Sequence, residues 1–328
     1  MNLTGCVWLN RRAKTPSGRR GGGDGVSMSG TAASTKVWRR IGVHAREALL
    51  RSLTPLELRA ILVDVARTRA AAMTPAEMIR RWREDRYFEH SEIDPREALP
   101  VTGRLWAAVP REFIGVSLSQ VTPLGTGIHL GGRGQNRIVT TMRGSEVLVD
   151  PAHGLALEAS KRRRSGHSRV HLATHARCTH EWDSTDGATH EVRFSLVSSA
   201  PDGGGLSTEA DLIDLHLDYW REIIGSLVPQ GRIELTVWDH TLAGLIESRG
   251  TRDDVIVVQG TDDERRPWRN PYTTAAFRFV AGGDEPVELG DGGFVTWTQA
   301  LTRNRKDRCI VSGISIDALV PYTWGVID

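Results

Sequence analysis

The sequence predicts an α+β protein in which an antiparallel sheet is flanked by helices and preceded by a helical N-terminal region. Two patterns carry this prediction. Between residues 36 and 114 the apolar residues recur at helical spacing, whereas after Phe113 short β-rich runs are separated by glycine turns. Two helical stretches, 154–164 and 208–227, interrupt these runs. This order differs from the regular strand–helix alternation of a doubly wound sheet.

The composition is that of a globular protein. The chain has 328 residues, of which 39% are hydrophobic and 25% charged, and its length predicts about one to three domains. No apolar run approaches the roughly 20 residues that a membrane-spanning helix requires, so no membrane insertion is expected. Cys6, Cys178 and Cys309 are odd in number and widely spaced. A disulfide framework is therefore excluded, and a reducing, cytoplasmic location is expected.

Residues 1–35 are expected to be a disordered basic leader, because glycine, serine, threonine and arginine dominate the segment and apolar residues are few. Residues 1–40 hold eight Lys/Arg against Asp24, so the remainder of the chain carries a net charge of −5. An acidic body argues against a nucleic-acid protein that depends on a global basic field. The leader and the basic run 161–164 still leave a nucleic-acid-binding module open as an alternative, although basic residues at a helix C-terminus also complement the helix dipole.

The region 36–114 is predicted to consist of helices. Thr54 and Pro55 have the residue types of an N-cap and a first helical position, and Thr74 with Glu77 forms a capping-box pattern. A further helix is predicted over 98–109. The first of these helices should pack on the core through a stripe at helical spacing, namely Leu58, Ile61, Leu62, Val65 and Ala66.

The region 115–328 is predicted to form the sheet. Nine runs have the length and composition of strands: 115–121, 136–141, 146–149, 170–174, 190–198, 232–238, 255–258, 275–280 and 308–316. The glycine clusters 131–134 and 290–293 lack the features of a phosphate loop or a dinucleotide fingerprint, and each is interpreted as a turn. No Gly-x-Ser-x-Gly elbow is present, which leaves serine hydrolysis without support.

A histidine-rich segment raises the question of a zinc site, because imidazole and thiolate are the ligands that zinc prefers. Its members are His167, His171, His175, Cys178, His180 and His190. The segment has no CxxC pair and no HExxH helix. Strand alternation also places His171 and His175 on one face and Cys178 and His180 on the other. No metal site is therefore predicted.

The order of pieces between residues 99 and 319 resembles the catalytic core of class II aminoacyl-tRNA synthetases, most closely the histidyl-tRNA synthetase type. Segment 115–124 resembles the interface motif, 143–152 the glycine turn and strand that follow it, and 171–197 the second motif. Segment 271–277 is similar to the Tyr-Tyr-Thr-Gly strand of the amino-acid pocket, and 292–294 resembles the glycine strand that follows it. Segment 311–319 resembles the third motif.

This resemblance implies a set of site residues and a mode of assembly. Arg177 matches the second-motif arginine that holds the ATP α-phosphate, and is the candidate catalytic residue. The implied ligand-binding residues are Glu181, Arg193, Phe194, Tyr272, Thr273, Gly292 and Gly293. The family also implies a homodimer with segment 115–123 near the two-fold axis.

Several departures from the family pattern bear on catalysis. Ala318 stands where the third motif has an ATP-binding arginine, and Ala152 stands where a glutamate meets the substrate amino group. Asp150 replaces the arginine of that same motif, and no anticodon-binding domain follows the third motif. Losing preplaced cations around the triphosphate removes electrostatic stabilisation of the transition state.

The leading hypothesis is a stand-alone synthetase-like protein that does not charge tRNA. It binds an amino-acid-like or nucleotide ligand and acts as a regulatory or assembly subunit for a protein partner, as the regulatory subunit of ATP phosphoribosyltransferase does. The alternative is an ATP- and Mg²⁺-dependent ligase that forms an acyl-adenylate and transfers it to an amine or carrier thiol, with Arg177 on the α-phosphate. The nucleic-acid-binding module remains the third possibility.

Overall fold

A computed structural model of the chain describes residues 32–132, 134–179, 189–250, 254–261, 271–282 and 286–323. The chain divides into two compact units, 1–58 and 59–328. The described part of the first unit holds helices α1 (Ala32–Ile41) and α2 (Val43–Glu47) and a π-helical turn at Ala48–Ser52. Helix α1 thus begins inside the segment expected to be a disordered leader, and residues 1–31 lie outside the described ones.

The remaining helices follow in chain order: α3 (Pro55–Ala71), α4 (Pro75–Glu84), α5 (Pro95–Ala107), α6 (Thr126–His129), α7 (Pro151–Arg164), α8 (Ser207–Leu227), α9 (His240–Ser248), α10 (Trp297–Thr302) and α11 (Ile316–Leu319). Short 3₁₀ turns occupy Arg86–Phe88, Gln135–Arg137 and Val320–Tyr322. Within the described residues, none of these helices has the length and apolar character needed to cross a membrane.

The predicted N-caps of α3 and α4 are confirmed. Thr54 N donates to Glu57 Oε2 at 2.8 Å, and Glu57 N donates to Thr54 Oγ1 at 3.3 Å. Thr74 Oγ1 accepts from Glu77 N at 3.2 Å. Each bond satisfies a backbone donor that has no partner within the first turn of its helix.

The predicted core stripe of α3 is wrong. No residue of α3 is buried, and Ile61 and Val65 remain exposed to solvent. The apolar spacing of a helix shows which face prefers to leave water, but it cannot show whether the same chain supplies the surface that covers it. Helix α3 therefore has an apolar side without a buried core beneath it.

The described strands form an eight-stranded sheet and a small two-stranded one. The strands are β1 (Ile114–Gly115), β2 (Val121–Pro123), β3 (Ser145–Val147), β4 (Val170–Thr179), β5 (His190–Pro201), β6 (Arg232–Val237), β7 (Val255–Gln259), β8 (Ala275–Ala281), β9 (Val287–Val295) and β10 (Asp307–Ser315). The large sheet has the order β1-β4-β5-β10-β9-β8-β6-β7, and β2 pairs with β3. Its central pairs are antiparallel, as predicted, whereas β1 with β4 and β6 with β7 are parallel.

Helices cover both faces of the large sheet. The larger core lies under α5, α8 and α9 and is built around Phe194, Tyr219, Trp220, Phe277 and Phe279. The smaller core lies under α7 and α10 and includes Leu155, Leu172, Val197 and Val311. We call these two sides of the sheet the α8 face and the α7 face.

The resemblance to the synthetase core predicts a glycine strand at 292–294, and β9 is that strand, whereas the glycine spacing alone indicates a turn. A Cβ on Gly292 would lie 2.5 Å from the carbonyl oxygen of Val311 on β10, so glycine permits the close approach of the two strands. The predicted strand 115–121 is also wrong, since only its two ends pair, as β1 and β2. The predicted strand 136–141 is a 3₁₀ turn followed by one isolated bridge between Thr140 and Glu146.

The basic run 161–164 ends helix α7, as the helix-dipole interpretation predicts. Arg163 Nη2 donates to Asp307 Oδ1 at 2.6 Å, and both side chains are largely buried. Asp307 also accepts from Thr302 Oγ1 at 2.8 Å. Arg163 therefore ties α7 to the start of β10, and its guanidinium is turned away from solvent.

A buried series of side-chain hydrogen bonds joins α8 to the centre of the sheet. His216 is fully buried; its Nδ1 bonds to Ser312 Oγ at 2.7 Å and its Nε2 bonds to Ser198 Oγ at 2.9 Å. Trp220 Nε1 donates to Ser312 Oγ, and Ser198 Oγ bonds to His171 Nδ1. Burial lowers the pKa of His216 to about 3, so its imidazole is neutral. One ring nitrogen of a neutral imidazole donates and the other accepts.

We predict that acid destabilises the fold through His216. Below pH 6.5 the unfolded chain binds a proton at this position that the folded protein does not, so stability falls as the pH falls from 6.5 towards 3. Between pH 7 and pH 5 the loss from His216 alone should be about 2 kcal/mol. Urea unfolding of wild type and His216→Gln at both pH values measures it. The variant should lose less stability on acidification, and equal losses would contradict the assignment.

Candidate functional site

The pairing of β4 with β5 decides which arginine reaches which face of the sheet. Ala176 lies opposite Arg193, and Arg177 lies opposite Val192. Paired residues share a face, and neighbours along a strand point to opposite faces. Val192 packs on the larger core, whereas Arg193 points to the other side. Arg177 and Arg193, both predicted to line one pocket, therefore lie on opposite faces.

A cluster of charged and aromatic groups occupies the α7 face around Arg193. The Arg193 guanidinium contacts Glu191 Oε1 at 3.3 Å and Asp291 Oδ1 at 3.4 Å. Tyr272 Oη donates to Asp291 Oδ2 at 2.8 Å. Arg193 and Tyr272 are thus brought together, with Asp291 between them. We call Glu191, Arg193, Tyr272 and Asp291 the Arg193 cluster.

The electrostatics of this cluster follow from burial and from its excess of carboxylates. Burial opposes the charge of Arg193, but Asp150, Glu191 and Asp291 outweigh it and raise the arginine pKa. Burial also raises the pKa of Tyr272, and Asp291 adds to that shift. The positive charge of Arg193 is therefore compensated by carboxylates of the same chain.

Glycine at position 293 makes room for the ring of Tyr272. A Cβ there would lie 2.7 Å from Tyr272 Cγ, closer than real carbon contacts. Gly292 belongs to the other face, where it lies against β10. Of the two glycines predicted to bind ligand, Gly293 is therefore the one that contacts the Arg193 cluster.

Two other predicted ligand-binding residues, Phe194 and Thr273, lie outside the Arg193 cluster. Phe194 is fully buried on the α8 face, where it contacts Trp106 and Tyr219. Thr273 bonds to the Phe294 carbonyl through both its amide and its hydroxyl, at 2.8 and 3.2 Å. Glu181 lies outside the described residues.

Arg177 fastens the N-terminal region to the sheet. Its Nη1 donates to His190 Nδ1 at 2.6 Å, and His190 Nε2 donates to the carbonyl of Glu89 at 2.6 Å. The arginine is exposed on the face opposite the Arg193 cluster. In this position its side chain supports the turn that follows α4.

The other members of the histidine-rich segment bond to separate partners. His171 Nδ1 contacts Ser198 Oγ, and His175 Nδ1 accepts from Trp106 Nε1 at 2.9 Å. Burial raises the pKa of Cys178, which keeps its thiol protonated. No group of three His, Cys, Asp or Glu side chains suited to a metal ion occurs among the described residues.

Sequence reasoning missed the carboxylates of the cluster. Glu191 precedes Arg193 by two residues on one strand, a spacing that places both on the same face and was available from the sequence. Asp291 lies between glycines that were interpreted as a turn, and its partner Tyr272 is 19 residues away. Only the pairing of β9 with β10, and of β10 with β5, brings Asp291 to Arg193.

The sheet and its flanking helices have the fold of solved histidyl-tRNA synthetase structures, as the order of motifs predicted. No known family profile matches the sequence, and no curated protein matches it either. The likeness is therefore one of fold.

Three solved structures illustrate it. An ATP phosphoribosyltransferase regulatory subunit/histidyl-tRNA synthetase from Bacillus halodurans has a TM-score of 0.56 at 10% identity, over 72% of this chain and 82% of its own. A histidine–tRNA ligase subunit from Alicyclobacillus acidocaldarius has a TM-score of 0.52 at 10% identity, over 71% and 95%. The apo histidyl-tRNA synthetase from S. aureus has a TM-score of 0.50 at 11% identity, over 70% and 67%.

We predict that Arg193→Met destabilises the protein by more than about 2 kcal/mol, because it leaves the carboxylates of Glu191 and Asp291 without their compensating charge. Adding Asp291→Asn should recover part of the loss, which a double-mutant cycle in urea detects. Arg278→Met is the matched control, since Arg278 forms exposed ion pairs on β8 that contribute about 1 kcal/mol or less. An equal cost for both arginines would contradict the cluster.

Proposed function

We propose that this chain is a synthetase-like protein that does not charge tRNA, and that it binds a small amino-acid-like ligand at the Arg193 cluster as a regulatory or assembly subunit. The observation that carries the proposal is the charge of the cluster. The Arg193 guanidinium contacts the carboxylates of Glu191 and Asp291, and the charge of Asp150 adds to their effect. Burial raises the pKa of Asp291, and the charge of Arg193 and the hydrogen bond from Tyr272 oppose that rise. A net negative site attracts an ammonium group and repels a triphosphate.

The β4 strand supports an amine ligand over a nucleotide. On the face of Tyr272 it contributes Ala176 and the protonated thiol of Cys178, whereas its arginine lies on the opposite face. A phosphate needs donors that are not already committed to carboxylates. The described residues of this face supply Arg193 alone as a cation near Tyr272, and its guanidinium is already paired.

The departures at the other motifs support the same conclusion. Ala318, at the position of the third-motif arginine, uses its backbone amide to cap α11 on Ser315 Oγ at 3.1 Å. Ala152, at the position of the family's glutamate, is buried in the smaller core. Asp150 accepts from the Ala152 amide at 2.8 Å and stands close enough to Arg193 to raise its pKa. This aspartate is our candidate to replace the missing glutamate at a ligand amino group.

The regulatory role is supported by one neighbour in fold. The Bacillus halodurans structure carries the description of an ATP phosphoribosyltransferase regulatory subunit, and its likeness covers 82% of that chain. A class II core that serves as a subunit of another enzyme is thus a precedent for this fold. We propose by analogy that the ligand of this chain signals to a protein partner.

We predict that L-histidine or another of the twenty amino acids binds, and that MgATP does not. A ligand at about 100 times its dissociation constant should raise the free energy of unfolding by about 2.7 kcal/mol, so a thermal-shift screen followed by calorimetric titration detects it. Asp291→Asn should weaken binding at least tenfold, because a charge-assisted bond is lost.

Two variants control this titration. Asp218→Asn removes an exposed carboxylate on α8, and Arg177→Ala removes the arginine on the opposite face. Both should leave amino-acid affinity unchanged. MgATP binding that disappears in Arg177→Ala would contradict the proposal and establish the adenylate-forming ligase instead.

We also predict that pyrophosphate exchange is blank with each of the twenty amino acids. Adenylate formation needs cations placed around the bent triphosphate, and the loss of one such donor costs on the order of 10²–10³ in rate. The assay uses the full chain with Mg²⁺ and ATP. Exchange with any amino acid would show that a triphosphate site exists.

A further inference from the structure

Helix α4 and the turn that follows it present an apolar surface that the described residues of the chain leave uncovered. Met78, Ile79 and Trp82 of α4 are 60, 52 and 61% exposed, and Phe88 is 42% exposed. Met78 and Trp82 are one helical turn apart, and the Trp82 ring stacks on Phe88 with centroids 5.9 Å apart. We call these four residues the α4 face. Contiguous exposed apolar side chains of this kind mark interaction surfaces.

The α4 face is held in a fixed position. Thr189 Oγ1 donates to the Arg86 carbonyl at 3.0 Å, and His190 Nε2 donates to the Glu89 carbonyl. Ser91 Oγ donates to Asp317 Oδ2 at 3.1 Å. These bonds fasten the turn after α4 to β5 and α11. The exposure therefore belongs to an anchored surface, and a partner would not have to order it on binding.

Charge indicates what covers this surface. Within the second compact unit, residues 59–89 contain seven Lys/Arg and five Asp/Glu, a net charge of +2, whereas residues 90–323 contain 25 and 31, a net charge of −6. Arg59, Arg69 and Arg83 have no carboxylate within 4.0 Å among the described residues. The partner surface should therefore combine apolar groups with carboxylates.

We propose that the α4 face of one chain docks on the acidic body, residues 90–323, of a second copy. Two copies that exchange this contact form a closed two-fold assembly. Residues 1–31 are the wrong occupant by charge, since they hold five Lys/Arg against Asp24. Nucleic acid would pair the arginines but leave four large apolar side chains uncovered. The contact requires no ligand at the Arg193 cluster, so a test of the contact is independent of a test of the proposed function.

Crosslinking between labelled and unlabelled chains tests the contact directly. Ile79 is replaced by the photoreactive residue benzoylphenylalanine in the full chain, which is mixed with an equal amount of ¹⁵N-labelled wild type. Illumination should give crosslinked peptides that join the unlabelled α4 to labelled residues 90–323. Crosslinks confined to one chain, or joining α4 only to a second α4, would overturn the proposal.

Sedimentation equilibrium measures the energetic share of the α4 face. Met78→Glu should weaken self-association at least about tenfold, because a buried methionine contributes roughly a factor of ten or more. Leu56→Glu is the control, since Leu56 is an apolar residue that is 75% exposed and belongs neither to the α4 face nor to residues 90–323. Raising NaCl from about 0.1 to 1 M should also weaken the assembly, because the screening length falls to about 3 Å.

Three results of these measurements would refute the contact. They are a wild-type monomer at tens of micromolar, equal effects of Met78→Glu and Leu56→Glu, and dissociation caused only by Val121→Glu in the segment 115–123. DNA or RNA binding that is lost in Met78→Glu would instead assign the surface to nucleic acid. Circular dichroism checks the fold of each variant, and the crosslinking at position 79 decides the question if Met78→Glu does not fold.

Discussion

The two-residue period of the β4–β5 hairpin is the constraint on which the site depends. Because Arg193 pairs with Ala176, Arg177 must face the opposite side of the sheet. One arginine then joins carboxylates beside Tyr272, and the other supports the turn after α4 through His190. A shift of one residue in this register would exchange the roles of the two arginines. The buried hydrogen bonds of His216 to β5 and β10 help to fix the position of β5, and for this reason they matter for the site.

The same constraint relates the proposed ligand site to the N-terminal region. His190 accepts from Arg177 and donates to Glu89, and it lies on β5 three residues before Arg193. The end of the hairpin therefore carries the Arg193 cluster on one face and the anchor of α4 on the other. The Arg193 cluster and the anchor of α4 thus lie at the same end of one pair of strands, on its two faces.

Features that depend on neighbouring residues could be predicted from the sequence, whereas features that depend on strand pairing or on the packing of distant segments could not. The caps of Thr54 and Thr74, the helix ending in Arg163 and the order of the class II motifs were predicted, because each rests on neighbouring residues or on motif order. Asp291 was missed, since its role arises from pairing across three strands. The second motif is degenerate, so its alignment with this sequence could be off by one residue at Arg177. An error of one residue places a side chain on the opposite face of a strand.

The central claim is that the face of the sheet carrying Tyr272 receives an ammonium group and that Arg177 contacts no ligand. A crystal structure of the chain grown with the amino acid found in the binding screen tests it most directly. The account predicts the ligand amino group within hydrogen-bond distance of the Asp291 or Asp150 carboxylate, on the same face as Arg193. A ligand bound beside Arg177, or a nucleotide phosphate held by Arg193 after it has left Glu191 and Asp291, would contradict the account.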